Sequence, residues 1–292
     1  MKKITSVLTA SLLLFSIVPL SGCGKTSFYY PDSEKYTAGG AEISSEISAV
    51  EIEWISGGVN VKYHEENTVK FSESANRSLT EANTLHYYVD GSTLRIKFAQ
   101  SGRINFGTLS KTLDVLLPQD LSLSGLEIKT VSADISADGI SSRNLNAESV
   151  SGRIGLLNCM ISNNADLESV SGDIELTSPE NIHILEAEAV SGSITVNIPG
   201  TDSFDISTVS ANIKITSAEA PLNGAAKSTS GDIKIYLPEN SQFEIDVHTV
   251  SGDFNSVFAL TSEGNRYTCG AGANKYSAET VSGDISLYII DK

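Results

Sequence analysis

The sequence predicts an all-β chain folded as a parallel β-solenoid, with coils of about 20 residues and two short strands per coil. Three observations predict it. A five-residue motif, Val-Ser-Gly-Asp-Ile in its fullest form, occurs eight times, beginning at Val131, Val150, Val170, Val190, Val209, Thr229, Val250 and Val281. Successive spacings are 19, 20, 20, 19, 20, 21 and 31 residues, a period that marks small units able to bury an apolar stripe only by stacking. Apolar and polar residues alternate on both sides of the motif, and the parity of the alternation changes across it.

With the first motif residue as position 0, positions −5 and −3 are mostly apolar, as in Leu145 and Ala147, Ala165 and Leu167, or Leu185 and Ala187. Positions −4 and −2 are mostly polar or charged, and −1 is always Thr, Ser or Ala. This is a strand with one buried face. Beyond the motif the apolar positions are +4 and +6, as in Ile174 and Leu176. A strand changes face only through an irregular residue, so the motif is a corner between two strands. Gly at +2 answers to a special backbone angle or to close packing, although Ala133 and Ala211 also stand there. Ser at +1 and Asp or Asn at +3 are expected to bond amides of their own corner. Pro179 and Pro238 begin two of the short returns, and each strand is expected to pair with its counterpart one repeat away. Leucine-rich repeats and calcium-binding nonapeptide rolls also have short periods, but neither signature occurs here.

The ends need cover, because an open stack exposes strand edges. Residues 43–125 form an N-terminal β region, with strands predicted at 49–55, 59–63, 69–73, 85–89, 94–98 and 113–117. Asp90-Gly91 is a hairpin turn within it. Ile55-Ser56-Gly57-Gly58-Val59 is a degenerate copy of the corner, so the cap is expected to continue the stack. Residues 126–292 carry the repeats. The 31-residue spacing contains an excursion at 262–276, read as a loop shielding the last coil.

Residues 1–22 read as an export signal, with Lys2 and Lys3 before a nearly uncharged apolar run at 4–20. Leu20-Ser21-Gly22-Cys23 resembles the lipobox of bacterial lipoprotein signal peptides. The resemblance implies cleavage before Cys23, lipid (palmitate among its acyl chains) on that sulfur, and a place on the extracytoplasmic face of a membrane. Residues 23–42 then read as a tether. Loss of Lys2 and Lys3 takes the formal charge from −16 to −18, which argues against nucleic acid as a partner. Cys159 and Cys269 would lie five coils, roughly 24 Å, apart, so two free and mostly buried thiols are expected.

On these residues the chain resembles the “putative adhesin” β-solenoid family of bacterial envelope proteins, whose function is unknown. The matching elements are the strand-turn-strand at 52–61, Leu113-Asp114-Val115-Leu116-Leu117-Pro118, and the train of corners. The resemblance implies an extracytoplasmic, often membrane-anchored repeat protein, and it brings no catalytic residue.

Chemistry is sparse. His64, His86, His183 and His248 have no paired spacing, and no catalytic residue, metal site or cofactor is expected. The corner residues Asp134, Asp173, Asp232, Asp253 and Asp284 invite a calcium ladder, but Arg153, Ser193 and Asn212 interrupt it. One surface stands out. The outward positions −4 and −2 align Asp166, Glu168, Glu186 and Glu188 as an acidic face, either a solvated surface or a docking face for divalent cations or a cationic envelope partner. The functional expectation is a non-enzymatic, monomeric, lipid-anchored ectodomain that binds or scaffolds at the envelope, with a protein or glycan ligand. The alternatives are a stress-related or regulatory lipoprotein contacting another membrane protein, and a carbohydrate-active β-helix enzyme.

Overall fold

The computed structural model describes residues 26–104 and 107–290. The export signal and Cys23 lie outside the described residues. Within them the chain is built of strands, with two single-turn 3-10 segments at Ser33–Lys35 and Glu81–Asn83. Coils stack in parallel as two ladders that meet at the corners. One ladder runs through Gly125–Asp138, Ser141–Ser149, Met160–Ser169, Ile182–Ala189, Thr201–Thr208 and Asn223–Ser228. The other runs through Gly125–Asp138, Ile154–Leu157, Ile174–Thr177, Ile194–Ile198, Ile213–Ser217 and Ile233–Leu237. Between them lies one core of stacked Leu, Ile, Val and Ala, including Leu145, Leu167, Ala187, Ile174 and Val196.

The corners show what each motif residue does. Gly152, Gly172 and Gly192 do not have positive φ. A Cβ on Gly172 would lie 2.0 Å from the carbonyl oxygen of Gly152, and one on Gly192 would lie 1.9 Å from that of Gly172. Close approach of backbones, not a special angle, selects glycine here. The residue at −1 points inward and uses its hydroxyl inside the corner: the Gly152 and Gly172 N–H groups donate to Ser149 Oγ (2.8 Å) and Ser169 Oγ (2.9 Å). Where Ala189 replaces the hydroxyl, Thr208 beside it is left with a buried Oγ1 that has no partner. The first residue of the motif faces outward: Val131 to Val209 are half-buried and Val250 is 81% exposed.

The Asp at +3 corrects the expectation that it caps its own corner. Asp134 Oδ1 accepts from Arg153 N–H (2.9 Å), Asp173 Oδ1 from Ser193 N–H (2.8 Å) and Asn212 Oδ1 from Asp232 N–H (2.8 Å). Each side chain thus staples its corner to the next coil. Such a bond needs an acceptor and no metal, which explains why Asn serves as well as Asp.

Sequence neighbours are not always stacking neighbours, and this corrects the expected pairing at both ends. Asn223–Ser228 pairs with Asn274–Thr280, which pairs in turn with Phe243–Thr249. In the second ladder Ile285–Ile289 likewise sits between Ile233–Leu237 and Phe254–Ser256. The last coil in sequence is therefore the penultimate coil in space. The excursion that makes this possible is a hairpin rather than a loop: Thr261–Glu263 and Arg266–Cys269 pair antiparallel, and the latter also pairs antiparallel with Phe243–Thr249. The N-terminal end repeats the device. Ala49–His64 pairs in parallel with Gly125–Asp138 across the whole corner, while Thr93–Lys97 and Lys111–Pro118 form the coil on its other side. Antiparallel strands Val69–Ala75, Ala41–Ile43, His86–Asp90 and Thr37–Ala38 close that end, with the expected turn at Asp90-Gly91.

Residues 26–42, expected as a tether, are pinned to this end. Thr26–Phe28 pairs with Gly102–Ile104, and Tyr30 Oη donates to Ala99 O (3.1 Å). Aromatic content explains the difference: Phe28, Tyr30 and Tyr36 pack on one another and on Tyr88, apolar area that a free linker would leave in water. Both Cys159, which is buried, and Cys269, which is half-buried, are free thiols, and burial pushes the Cys159 thiol up to about 11.

The corner geometry makes a sharp contrast. Gly172→Ala should destabilise the stack by about 1–3 kcal/mol, because backbone must yield on both coils. Gly125→Ala, where a Cβ meets nothing within 4 Å, should be neutral or slightly stabilising. Urea unfolding followed by circular dichroism distinguishes the two, and equal effects would remove close approach as the reason for glycine.

Candidate functional surface

The outward positions of the first ladder form two straight columns. Register pairing sets Asp166 beside Glu186 and Glu168 beside Glu188, with Glu148 before Glu168 and Asp205 after Glu186. The structure therefore brings the four sequence-identified carboxylates together on adjacent strands, about 5 Å apart from coil to coil. Toward both ends the same face is neutralised. Arg95 pairs with Glu51, Lys97 with Glu53 (2.5 Å), and Lys129 with Glu127 (2.8 Å) and Glu148 (3.2 Å). At the far end Arg266 pairs with Asp246 (3.0 Å). None of the ion pairs among the described residues involves Asp166, Glu168, Glu186, Glu188 or Asp205.

Half-burial against neighbouring side chains raises the carboxyls of Asp166 and Glu188 above their ordinary range, and nearby carboxylates push the same way: Glu186 on Asp166, Glu168 and Asp205 on Glu188. Asn146 Nδ2 donates to Asp166 at 3.4 Å, a weak compensation. Among the described residues, no group of three or more His, Cys, Asp or Glu side chains is placed to hold a metal ion. The carboxylates lie in rows on a flat sheet, and their oxygens do not converge. The histidines stay apart. His183 Nδ1 lies 2.6 Å from Asp202, His64 and His86 bond to backbone carbonyls, and His248 contacts Asn265.

A second charged group escaped the sequence reading. Lys111 is fully buried in the first coil, with Nζ 2.6 Å from Glu73 Oε2 and donating to Asn83 O (2.8 Å) and to Phe98 O. Its ammonium lies 4.8 Å from the Trp54 ring centroid and 4.2 Å from that of Phe98. Trp54 Nε1 donates back to Lys111 O (2.9 Å), and Glu73 Oε1 accepts from Leu85 N–H (2.7 Å). Burial outweighs the carboxylate and pushes the lysine down to about 8. This buried cluster ties together the strands that lock the end of the stack.

Fold and surface together define a class: an end-capped, parallel β-repeat protein whose broad exposed features are flat sheet faces. The chain belongs to the Toastrack DUF4097 family, whose model matches residues 42–288. Among solved structures, a putative lipid binding protein from Parabacteroides distasonis ATCC 8503 is 17% identical, with a TM-score of 0.52 over 86% of this chain and 96% of its own. Putative adhesins from Bacteroides fragilis NCTC 9343 and Parabacteroides merdae ATCC 43184 are 14% and 12% identical, each with a TM-score of 0.45. They cover 87% and 88% of this chain and 97% of their own. The likeness at 0.52 is one of fold. No curated protein matches the chain.

Two predictions follow from the charges. Glu188→Gln should raise stability by a few tenths to about 1 kcal/mol at neutral pH and low salt, with less gain at high salt. For the wild type the native state holds more protons than the unfolded chain just above the ordinary carboxylate range, because Asp166 and Glu188 are raised. Their contribution is therefore present below the unfolded value and lost as pH rises through the folded one. The melting-temperature gain from Glu188→Gln should thus shrink on mild acidification; a gain independent of pH would contradict it. At the buried pair, Lys111→Met or Glu73→Leu alone should cost about 3–5 kcal/mol, and the double variant should recover most of the loss. Additive losses in a double-mutant cycle would show that the two groups do not act as a pair.

Proposed function

We propose that this chain is a non-catalytic binding or scaffolding module of the bacterial envelope, held on the extracytoplasmic face of a membrane by lipid on Cys23. Its uncompensated carboxylate columns would meet a cationic partner. One observation carries the binding reading: cations neutralise the face at both ends but leave Asp166, Glu168, Glu186, Glu188 and Asp205 without ion pairs. A free chain would do better with mixed charges, and a cationic partner would relieve the repulsion. Rows of non-converging carboxylates suit a polycation, such as a lysine-rich protein surface or an amine-bearing glycan, better than a chelated ion. The anchoring reading rests on the lipobox-like Leu20-Ser21-Gly22-Cys23. The solved structure that shares this fold at a TM-score of 0.52 is named a putative lipid binding protein. A partner that is itself a membrane protein, as in a regulatory lipoprotein, would use the same face.

Two measurements test this reading. The full chain expressed in a bacterial host should incorporate an alkyne-palmitate label and sediment with membranes, whereas Cys23→Ala should do neither; an unlabelled wild type would overturn the anchor. In a surface-binding assay with oligolysine at low salt, the variant carrying Asp166→Asn, Glu168→Gln, Glu186→Gln and Glu188→Gln should bind at least ten-fold more weakly than wild type. Equal affinity would remove the face from the proposal.

A further inference from the structure

The position at which the chain becomes fixed bears on how such a module stands on a membrane. Phe28 and Tyr30 are buried, at 3% and 8% exposure, and Tyr30 N–H donates to Ser101 Oγ (3.2 Å) while its hydroxyl donates to Ala99 O. From Phe28 onward the backbone is part of the N-terminal cap. Four residues separate Cys23 from Phe28, so the lipid-bearing residue and the rigid body are at most roughly 17 Å apart. A free linker as far as residue 42 would have allowed roughly 65 Å. The stack is longer than the short connection. Two coils in the cap and eight repeat coils, at about 4.8 Å each, give an axis of roughly 43 Å between the first coil and the last.

Between the two buried aromatics stands Tyr29, 60% exposed. An aromatic ring with a polar tip at the membrane-proximal end is the side chain type that settles at the headgroup level. Charge decides between standing and lying. A formal charge of −18 without Lys2 and Lys3, and the carboxylate columns along the stack, oppose laying the long faces on an anionic bilayer.

Resting on the lipid anchor at Cys23 proposed above, we infer that the N-terminal cap is seated against the headgroup surface of the bilayer, with Tyr29 at the interface and the hairpin end of the stack pointing away. The membrane is then a second contact surface of the module and not merely its point of attachment. It holds the acidic columns at a height set by the coil number.

The test uses the full, lipidated chain in vesicles of phosphatidylcholine and phosphatidylglycerol whose acyl chains are brominated. Tyr29→Trp and Val250→Trp place reporters at exposed positions near the two ends, over the constant background of buried Trp54. The expected result is at least two-fold stronger quenching for Tyr29→Trp than for Val250→Trp. Equal quenching in protein that floats with the vesicles and carries the lipid mass would overturn the orientation while leaving the anchor intact. Protein that neither floats nor carries the mass would overturn both, and flotation shows which has failed. Hydrogen exchange of unsubstituted protein gives an independent reading. Residues 26–38 should exchange more slowly on vesicles than in soluble Cys23→Ser, with residues 250–263 unchanged, and no difference at 26–38 would likewise overturn the inference.

Discussion

The contact on which the rest of this structure depends is the approach of one corner's backbone to the next. A Cβ at most corner glycines would stand within about 2 Å of the carbonyl of the coil before it, so six of the eight repeat corners carry glycine and only Ala133 and Ala211 depart from it. That approach keeps neighbouring coils in register through the turn: Ser151 N–H reaches Val131 O (2.9 Å) and Ser171 N–H reaches Val150 O (3.0 Å), while the next two amides of the corner donate to side chains. With register kept on both sides of the corner, side chains stack in columns. Columns in turn give one continuous core inside and straight rows of like residues outside. The hydroxyl at −1 and the carboxylate or amide at +3 serve the same contact from its two sides, one satisfying an amide within the corner and the other an amide in the neighbouring coil.

Closure of the stack is a separate problem, and both ends solve it by the same departure from sequence order. At each end the chain builds one coil and then another on its far or near side out of turn, so that an outer coil is joined to an inner one by an excursion. The excursions supply the antiparallel strands that cover the terminal edges: Val69–Ala75 and His86–Asp90 at one end, Arg266–Cys269 at the other. A parallel edge cannot be covered by a short turn, whereas an antiparallel strand can be delivered by one. Residues 274–289 are thus internal to both ladders despite standing near the end of the sequence, and the terminal coil depends on them. The three-residue strand Phe254–Ser256 leaves a very short edge on the second ladder, which limits pairing with other chains.

The repeat, the corner, the buried face and the alignment of Asp166, Glu168, Glu186 and Glu188 were legible because each follows from a periodic pattern, and in-register stacking converts period into position. Threading at the ends was not legible, since a coil one repeat away and a coil inserted between two others bury the same residues. Only the 31-residue spacing hinted that something stood between. Glu73 and Lys111 were legible in principle. Each sits at inward parity with its strand, Val69 and Phe71 before Glu73, and Leu113, Val115 and Leu117 after Lys111. A charge at a core-facing position of each of two neighbouring strands is a signal for a buried pair. The pinned segment at 26–42 was hidden by its Gly, Pro and Ser, although its aromatics argued for burial. Likewise, side-chain type alone could not tell whether the Asp at +3 serves its own corner or the next.

Stacking constrains the glycine, the hydroxyl, the acceptor and the inward apolar residues, but it leaves the −4 and −2 columns free. Any soluble side chain satisfies the ladder there, as Ala225, Lys227, Ser207 and Asn146 show at those positions. Composition in these columns is therefore set by something other than stacking, whereas that of the motif is not. Solubility alone would be served by interspersed charges of both signs, the arrangement seen where Lys129 lies between Glu127 and Glu148. Three successive coils instead carry carboxylates without a paired cation, and burial plus mutual repulsion raises Asp166 and Glu188 at a cost to the free protein. That cost is small beside the shared core, so the fold bears it without distortion. The fold does not require it, however, and a partner of opposite charge would relieve it. These middle coils, where the side chains work against stability, are therefore a better place to look for function than the recurring corner, whose glycine and acceptor side chains serve the stack.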